Sequence, residues 1–317
     1  MSAPQRIALL FPGQGSQAVG MGRDLAERFP AAKAVWEQAD EALGFGLSAL
    51  CWNGPDDELT ATVNAQPALL AHSAAVWAVL ADAGLDVVCA AGHSLGEFSA
   101  YHAAGSLSLA DALRTVRRRG ELMYAGGQQR PGAMAAVLGL DDEVVDGVCR
   151  EASTDDSVVV PANFNTPGQV VISGDAAAVE RVSPMLVSAG AKKVQALNVS
   201  GAFHSPLMEV AAEGLERQLD SVEMRAPRFP VVSNVTASPV TDPAESRLLL
   251  VQQLTSPVRW TASVQTMLGL GVERFLEIGP GKVLTGMLKR IDRAAEGRGA
   301  ALGTAEAVDA FLQQQGA

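Results

Sequence analysis

Cysteine is scarce: the chain has three in 317 residues, Cys51, Cys89 and Cys149. The number is odd, the spacing is wide, no C-x-x-C pair occurs and no histidine clusters with them. A disulfide framework or a zinc site is therefore not expected, and the three read as small buried thiols in a reducing compartment. Long apolar runs are also missing. Hydrophobic residues make up 48% of the chain, yet no uninterrupted stretch approaches the ~18–20 residues of a membrane span. Met1 to Arg6 lacks the charged-then-apolar order of a signal peptide, so the expected setting is cytoplasmic, with no membrane partner. Positive charge is in deficit, with 24 Lys and Arg against 35 Asp and Glu, a net charge of −11. Such a chain repels nucleic acid at long range. An acidic protein partner would need a local basic patch. Arg114, Arg117 and Arg118 are the densest candidate, and a solvated helix face is the equal alternative.

What is present is enough apolar sequence for a sizeable core, at a length that fits one large domain with an insert. A strand pattern at Arg6–Phe11 runs into Pro12-Gly-Gln-Gly-Ser16. Helical patterns follow at Pro30–Leu43 and Pro67–Ala83. A second strand, Val87–Ala91, runs into Gly92-His-Ser-Leu-Gly96, with helical stretches after it through Tyr124. Strands alternating with helices predict an α/β fold, a hydrolase-like core with a parallel sheet flanked by helices. The middle differs. Strand patterns at 132–139, 158–162, 169–173 and 194–199 alternate with helical patterns at 141–151 and 176–189, giving the order βαββαβ of a ferredoxin-like unit. The segment Asn163-Phe-Asn-Thr-Pro-Gly168 falls between two of these strands. The predicted division is a large subdomain of residues 1–130 and 200–317 and a small inserted one of residues 131–199. The large unit resumes with a helix over Pro206–Leu219, a strand at Pro230–Asn234, another helix, the strand Arg274–Ile278 and a peripheral terminal helix.

Gly92-His93-Ser94-Leu95-Gly96 fits the G-x-S-x-G elbow. A serine on a sharp strand-to-helix turn projects its hydroxyl outward. Flanking glycines let the chain pass closely, and the following helix aims its N-terminal amides at the place where an oxyanion develops. Four histidines are available as a base. His72 lies in an apolar helical pattern and His102 two turns into the elbow helix. His93 adjoins the serine, so its side chain should leave the turn in another direction, to pack or hydrogen-bond within the site. His204 follows a strand in the loop Gly201-Ala-Phe-His-Ser-Pro206 and comes after the serine in chain order, which favours it as the base. No acid is evident as a third member. On the helix Leu109–Tyr124 the apolar stripe passes closest to Arg119, about 60° from its centre at roughly 100° per residue. A guanidinium there needs a partner, either a structural carboxylate or a substrate carboxylate.

Six motifs in order resemble the malonyl-CoA:acyl carrier protein transacylases. They are Phe11-Pro-Gly-Gln-Gly-Ser-Gln17, Gly92-His-Ser-Leu-Gly-Glu97, Arg119-Gly-Glu-Leu-Met123, Asn163-Phe-Asn-Thr-Pro-Gly-Gln169, Gly201-Ala-Phe-His-Ser205 and Glu277-Ile-Gly-Pro-Gly-Lys282. The resemblance runs from about Ile7 to Arg290. It implies that Ser94 carries the malonyl ester, that His204 is the base and later the acid, and that the Gln253 main-chain carbonyl orients His204. It implies an oxyanion hole from the Gln14 and Leu95 amides, and a malonyl carboxylate held by Arg119. Phe203, beside the histidine, and Leu95 fit the malonyl-selective pattern, because a Phe there fills the space of a 2-methyl branch. Met123 and His93 are implied in the substrate site, although Met123 also reads as core, and Asn163 and Asn165 are candidates to line it. Gln14 and Gly15 alternatively cap a helix, and Lys282 alternatively ends a loop. The implied substrates are malonyl-CoA and a phosphopantetheinylated acyl carrier protein, with no bound cofactor or metal and a monomeric chain. A discrete acyltransferase of polyketide synthesis, an acyl-thioester hydrolase and a silent scaffold are the alternatives.

Overall fold

The computed structural model describes residues 5–315. Two sheets organise the chain. The first segment contributes β1 (Arg6–Phe11), α1 (Arg23–Arg28), α2 (Pro30–Leu43), α3 (Leu47–Asn53), α4 (Asp56–Thr60), α5 (Thr62–Leu80), β2 (Asp86–Gly92), α6 (Gly96–Ala103) and α7 (Leu109–Gln129). A second run contributes β3 (Gly132–Leu138), α8 (Asp142–Ala152), β4 (Val159–Thr166), β5 (Gln169–Asp175), α9 (Ala176–Ser188) and β6 (Lys193–Ala196). The rest is α10 (Glu209–Asp220), β7 (Val231–Val232), β8 (Pro239–Val240), α11 (Pro243–Gln252), α12 (Trp260–Gly269), β9 (Arg274–Glu277), α13 (Val283–Ile291), β10 (Gly299–Ala301) and α14 (Ala305–Gln315).

The six-stranded sheet has the order β10-β9-β1-β2-β7-β8, parallel except for β8. Its central strand β1 is buried from Ile7 to Phe11, as expected for a strand covered on both faces. The period of two divides it: Ile7, Leu9 and Phe11 join one core cluster, Ala8 and Leu10 the other. The four-stranded sheet is antiparallel with order β4-β5-β3-β6, the ferredoxin-like arrangement, and has its own core of Val137, Val145, Ile172, Val179 and neighbours. The two sheets are tied where β4 meets the segment before α12. Phe164 donates to the Val258 carbonyl at 2.9 Å, and Val258 donates to Ala162 at 2.8 Å. The three cysteines are free and buried, one in each of the three core clusters, and burial pushes each thiol up to about 12.

Several boundaries differ from the sequence pattern. Helix α5 begins at Thr62 rather than Pro67, with Pro67 inside it. The missing proline N–H frees the Val63 carbonyl one turn earlier, and the Arg117 guanidinium donates to that oxygen at 3.2 Å. Helix α7 continues past Tyr124 to Gln129, and Gly127 lets it press against Ser200, whose carbonyl a Cβ there would overlap. Strand β4 continues through Thr166, so Asn163 and Asn165 lie on a strand and only Pro167-Gly168 forms the turn. Strand β6 ends at Ala196, before Val199, and the chain then runs irregularly. The helix expected from Pro206 opens as a 3-10 turn over Pro206–Met208 before α10. The single helix expected before the strand at Arg274 is two, α11 and α12, and the strand at Pro230–Asn234 is reduced to Val231–Val232.

Candidate active site

Strand β2 and helix α6 meet at a turn too tight for ordinary residues. A Cβ on Gly92 would overlap Gly96, and one on Gly96 would overlap the Phe11 carbonyl of the neighbouring strand. A Cβ on Gly13 would lie 2.5 Å from the His93 carbonyl, so the first Gly-rich loop is glycine for the same reason. Between them Ser94 sits in the left-handed region at φ 51°, a conformation that costs a non-glycine residue about 1–2 kcal/mol. Asn234, just after β7, holds it there. Its Oδ1 accepts from the Ser94 amide at 2.7 Å and its Nδ2 donates to the Gly92 carbonyl at 2.7 Å.

His204 is also left-handed, at φ 57°, and nearly buried. Its Nε2 lies 2.7 Å from Ser94 Oγ, and its Nδ1 lies 2.8 Å from the main-chain carbonyl of Gln253. A carbonyl only accepts, so the hydrogen-bond network places the ring proton on Nδ1 and leaves the Nε2 lone pair facing the serine hydroxyl. Burial first, and the Arg119 charge second, lower the imidazole to about 3, so it is neutral at pH 7. The acid missing from the sequence is replaced in position by a peptide carbonyl.

Arg119, from α7, is 1% exposed. Its Nη1 donates to Gln66 Oε1 at 2.8 Å, and its Nη2 donates to Gln253 Oε1 at 2.9 Å and to Ser94 Oγ at 3.0 Å. The guanidinium lies 5.6 Å from the centre of the Phe98 ring. Of the two partners left open above, a structural carboxylate is not what it hydrogen-bonds: every acceptor it holds is a neutral oxygen. Burial pulls it down to about 10, opposed by the nearby Glu97 carboxyl, so it stays charged at pH 7. A buried cation with only neutral acceptors, opening onto a cleft, leaves its charge uncompensated by any hydrogen-bonded anion. Arg114, Arg117 and Arg118 are different. They pair with Asp111 and Glu121 along the helix surface, which fits the solvated-face reading rather than a free basic patch.

The cleft above Ser94 encloses about 320 Å³ and is lined by Gln14, His93, Leu95, Arg119, Met123, Asn163, Phe203 and His204. Leu197, Asn198 and Val199, the irregular stretch after β6, close one side. Among the described residues neither the Gln14 nor the Leu95 amide has a protein acceptor, which leaves both free to meet an oxyanion. Gln14 and Gly15 cap no helix, since α1 begins only at Arg23. His93 Nε2 lies 2.8 Å from Asn165 Oδ1 and the ring packs against Trp260, so it is turned off the serine, and burial lowers its pKa. His72 is fully buried and His102 bonds the Leu107 carbonyl, outside the cleft. The motif at Glu277 is a brace: its carboxylate accepts from the Leu284 and Thr285 amides at the start of α13, and Lys282 ends the loop before that helix. Among the described residues no group of three His, Cys, Asp or Glu side chains is placed to hold a metal ion.

Sequence reasoning missed Gln66, Asn234, the side chain of Gln253 and the buried Glu97. Gln66 had a signal: it is a lone amide in the apolar run Ala65–Ala71 of a helix buried on all sides.

A strand-to-helix elbow on a parallel sheet, with Ser94, His204 and a buried arginine in one cleft, is the layout of an acyl-transferring enzyme. The family described as "Acyl transferase domain" matches residues 8–306, and the chain belongs to that family. It is 48% identical over 288 residues to the malonyl CoA-acyl carrier protein transacylase of Bacillus subtilis (strain 168), covering 91% of each chain. Among solved structures, an acyl carrier protein S-malonyltransferase from Vibrio cholerae superposes with a TM-score of 0.93 at 45% identity, over 97% of this chain and 100% of that one. A malonyl-transacylase solved in complex with its type II PKS acyl-carrier protein superposes with a TM-score of 0.93 at 42% identity, over 98% of this chain and 100% of that one.

Proposed function

We propose that this chain moves malonyl from malonyl-CoA to the phosphopantetheine thiol of an acyl carrier protein, by way of an ester on Ser94. The observation that carries the reading is the placement of Ser94 Oγ between a neutral imidazole nitrogen at 2.7 Å and a buried guanidinium at 3.0 Å. His204 Nε2 takes the hydroxyl proton as Oγ attacks the thioester carbon. The oxygen of the tetrahedral species is met by the Gln14 and Leu95 amides, each such donor contributing about 3–4 kcal/mol. The C–S bond breaks, and CoA leaves as the thiol with the proton from His204. The carrier thiol then attacks the ester, gives its proton to His204, and Ser94 recovers it as the C–O bond breaks. The Gln253 carbonyl stabilises the imidazolium that forms in each half-reaction.

In the free enzyme Arg119 spends one N–H on Ser94. A malonyl carboxylate takes over that donor in a bidentate fork and releases the serine lone pair for attack. A monocarboxylic acyl group leaves the guanidinium without an anion, and Phe203 fills the room a 2-methyl branch requires. Met123, His93 and Asn163 line the rest of the pocket, and Asn165 holds His93. No metal or bound cofactor enters any of these steps, and the chain acts as a monomer. A cytoplasmic setting belongs to the same reading and suits three unpaired buried thiols. No helix among the described residues is long and apolar enough to cross a membrane. The division into residues 1–130 with 200–317 and residues 131–199 is also part of it, with the cleft between the two units.

The relatives' shared name lends nothing to the hydrolase alternative. Intact-mass spectrometry tests the whole proposal. The protein mixed with malonyl-CoA should gain one malonyl on Ser94 and pass it to an added phosphopantetheinylated carrier. An adduct decaying only to free malonate would replace the proposal with the hydrolase reading.

A further inference from the structure

Glu97 takes no part in the steps above, yet it is fully buried in the first turn of α6. One of its oxygens, Oε2, accepts from Gln253 Nε2 at 2.6 Å and from the Asn234 amide at 3.3 Å. Those two residues between them touch every reacting group. Gln253 holds His204 through its carbonyl, Arg119 through Oε1 and the Ser94 carbonyl through Nε2. Asn234 holds the Ser94 amide and the Gly92 carbonyl. A carboxylate in such a place is costly to bury, and its second oxygen has no hydrogen-bond partner, so packing alone does not account for it.

We propose that Glu97 is the positioning residue that fixes Ser94, His204 and Arg119 relative to one another, by tying Gln253 and Asn234 to a single carboxylate oxygen. The hydrogen bond to Gln253 is short and buried, which holds both that side chain and the backbone carbonyl behind His204. A displacement of about 1 Å in such a support costs up to about 100-fold in rate. The proposal rests on the transacylase reading only for what is transferred, since the geometry it explains belongs to the serine itself.

The test compares Glu97→Ala and Glu97→Gln in the full-length protein, with Glu277→Gln as a control that removes charge from another buried helix-bracing carboxylate. Three quantities are measured: the rate of Ser94 labelling by a fluorophosphonate, kcat and KM with malonyl-CoA, and the thermal unfolding midpoint. Glu97→Ala should slow labelling and lower kcat by about 10- to 100-fold. KM should stay within about threefold, because Gln66 still holds Arg119 through Nη1. Glu97→Gln keeps an oxygen for both donors and should recover most of the rate. Glu277→Gln should lower the midpoint and leave the rates alone. Should Glu97→Ala fail to fold, Glu97→Asp answers instead: its shorter carboxylate cannot reach both donors, and it should lose rate at a retained midpoint. Labelling within about twofold of the parent in the folded variant would overturn the proposal. So would rates that fall only in step with the midpoint, equally in Gln and Ala. Labelling needs no malonyl group, so a parent protein that labels but never takes up malonyl sinks the functional reading and leaves this one standing.

Discussion

Two residues in the cleft hold backbone conformations that side chains disfavour, Ser94 and His204, and they are the pair whose side chains meet at 2.7 Å. Both ends of one hydrogen bond are thus held in left-handed backbone that the surrounding structure must maintain. Ser94→Ala should abolish the malonyl adduct in an intact-mass assay without changing the folded state. Arg119→Ala removes the buried cation proposed to hold the malonyl carboxylate, an expected loss of about 2–5 kcal/mol in the malonyl reaction. Acetyl transfer should fall far less, so the malonyl-to-acetyl ratio of acylation rates drops by about 30-fold or more. Equal losses for both donors would remove Arg119 from the carboxylate site. His204 lowered to about 3 implies that the base is already neutral in weak acid. Single-turnover acylation should therefore stay level from pH 8 to about pH 5, and a midpoint near 6.5 would mean that the imidazole titrates as it does in water.

At the scale of elements, the elbow depends on a residue far away in sequence. Asn234→Ala leaves the Ser94 amide and the Gly92 carbonyl unpaired, which costs about 1–3 kcal/mol each way. The variant should fold at a lower midpoint and show a slower acylation burst. Helix α7 depends on Gly127, where alanine would push Ser200 and the following loop away. Gly127→Ala should destabilise by about 1–3 kcal/mol in urea unfolding. How much of this was legible follows from period and range. The alternation of Ile7 to Phe11, the G-x-S-x-G turn and the βαββαβ order are local patterns, and the structure shows them in place. The start of α5 was hidden because Pro67 ordinarily opens a helix, whereas here it lies inside one and a guanidinium from α7 takes up the carbonyl it frees. Asn234 and Glu97 were hidden because their partners lie 140 and 156 positions away, a pairing no periodicity encodes.

The whole molecule carries opposed proton linkages. His72 is lowered by burial to about 4 and His204 to about 3, both from 6.5. The unfolded chain therefore binds more protons between those values and 6.5, and the stability these two provide is complete above about 6.5 and lost as pH falls through 4. Glu97 is raised by burial from 4.5 to about 7, so its contribution is present below 4.5 and lost as pH rises through 7. Of these three groups, two histidines oppose one carboxyl from pH 6.5 to 4.5, so urea midpoints should fall gently there, and more steeply from 4.5 to about 4, where both histidines still act and Glu97 no longer opposes them. Glu97→Gln should steepen the upper range. A molecule with three separate cores also carries three natural reporters, because each holds one cysteine shielded from water. In graded denaturant, the order in which Cys51, Cys89 and Cys149 become alkylated by iodoacetamide reads out which layer of the protein opens first, with no residue substituted.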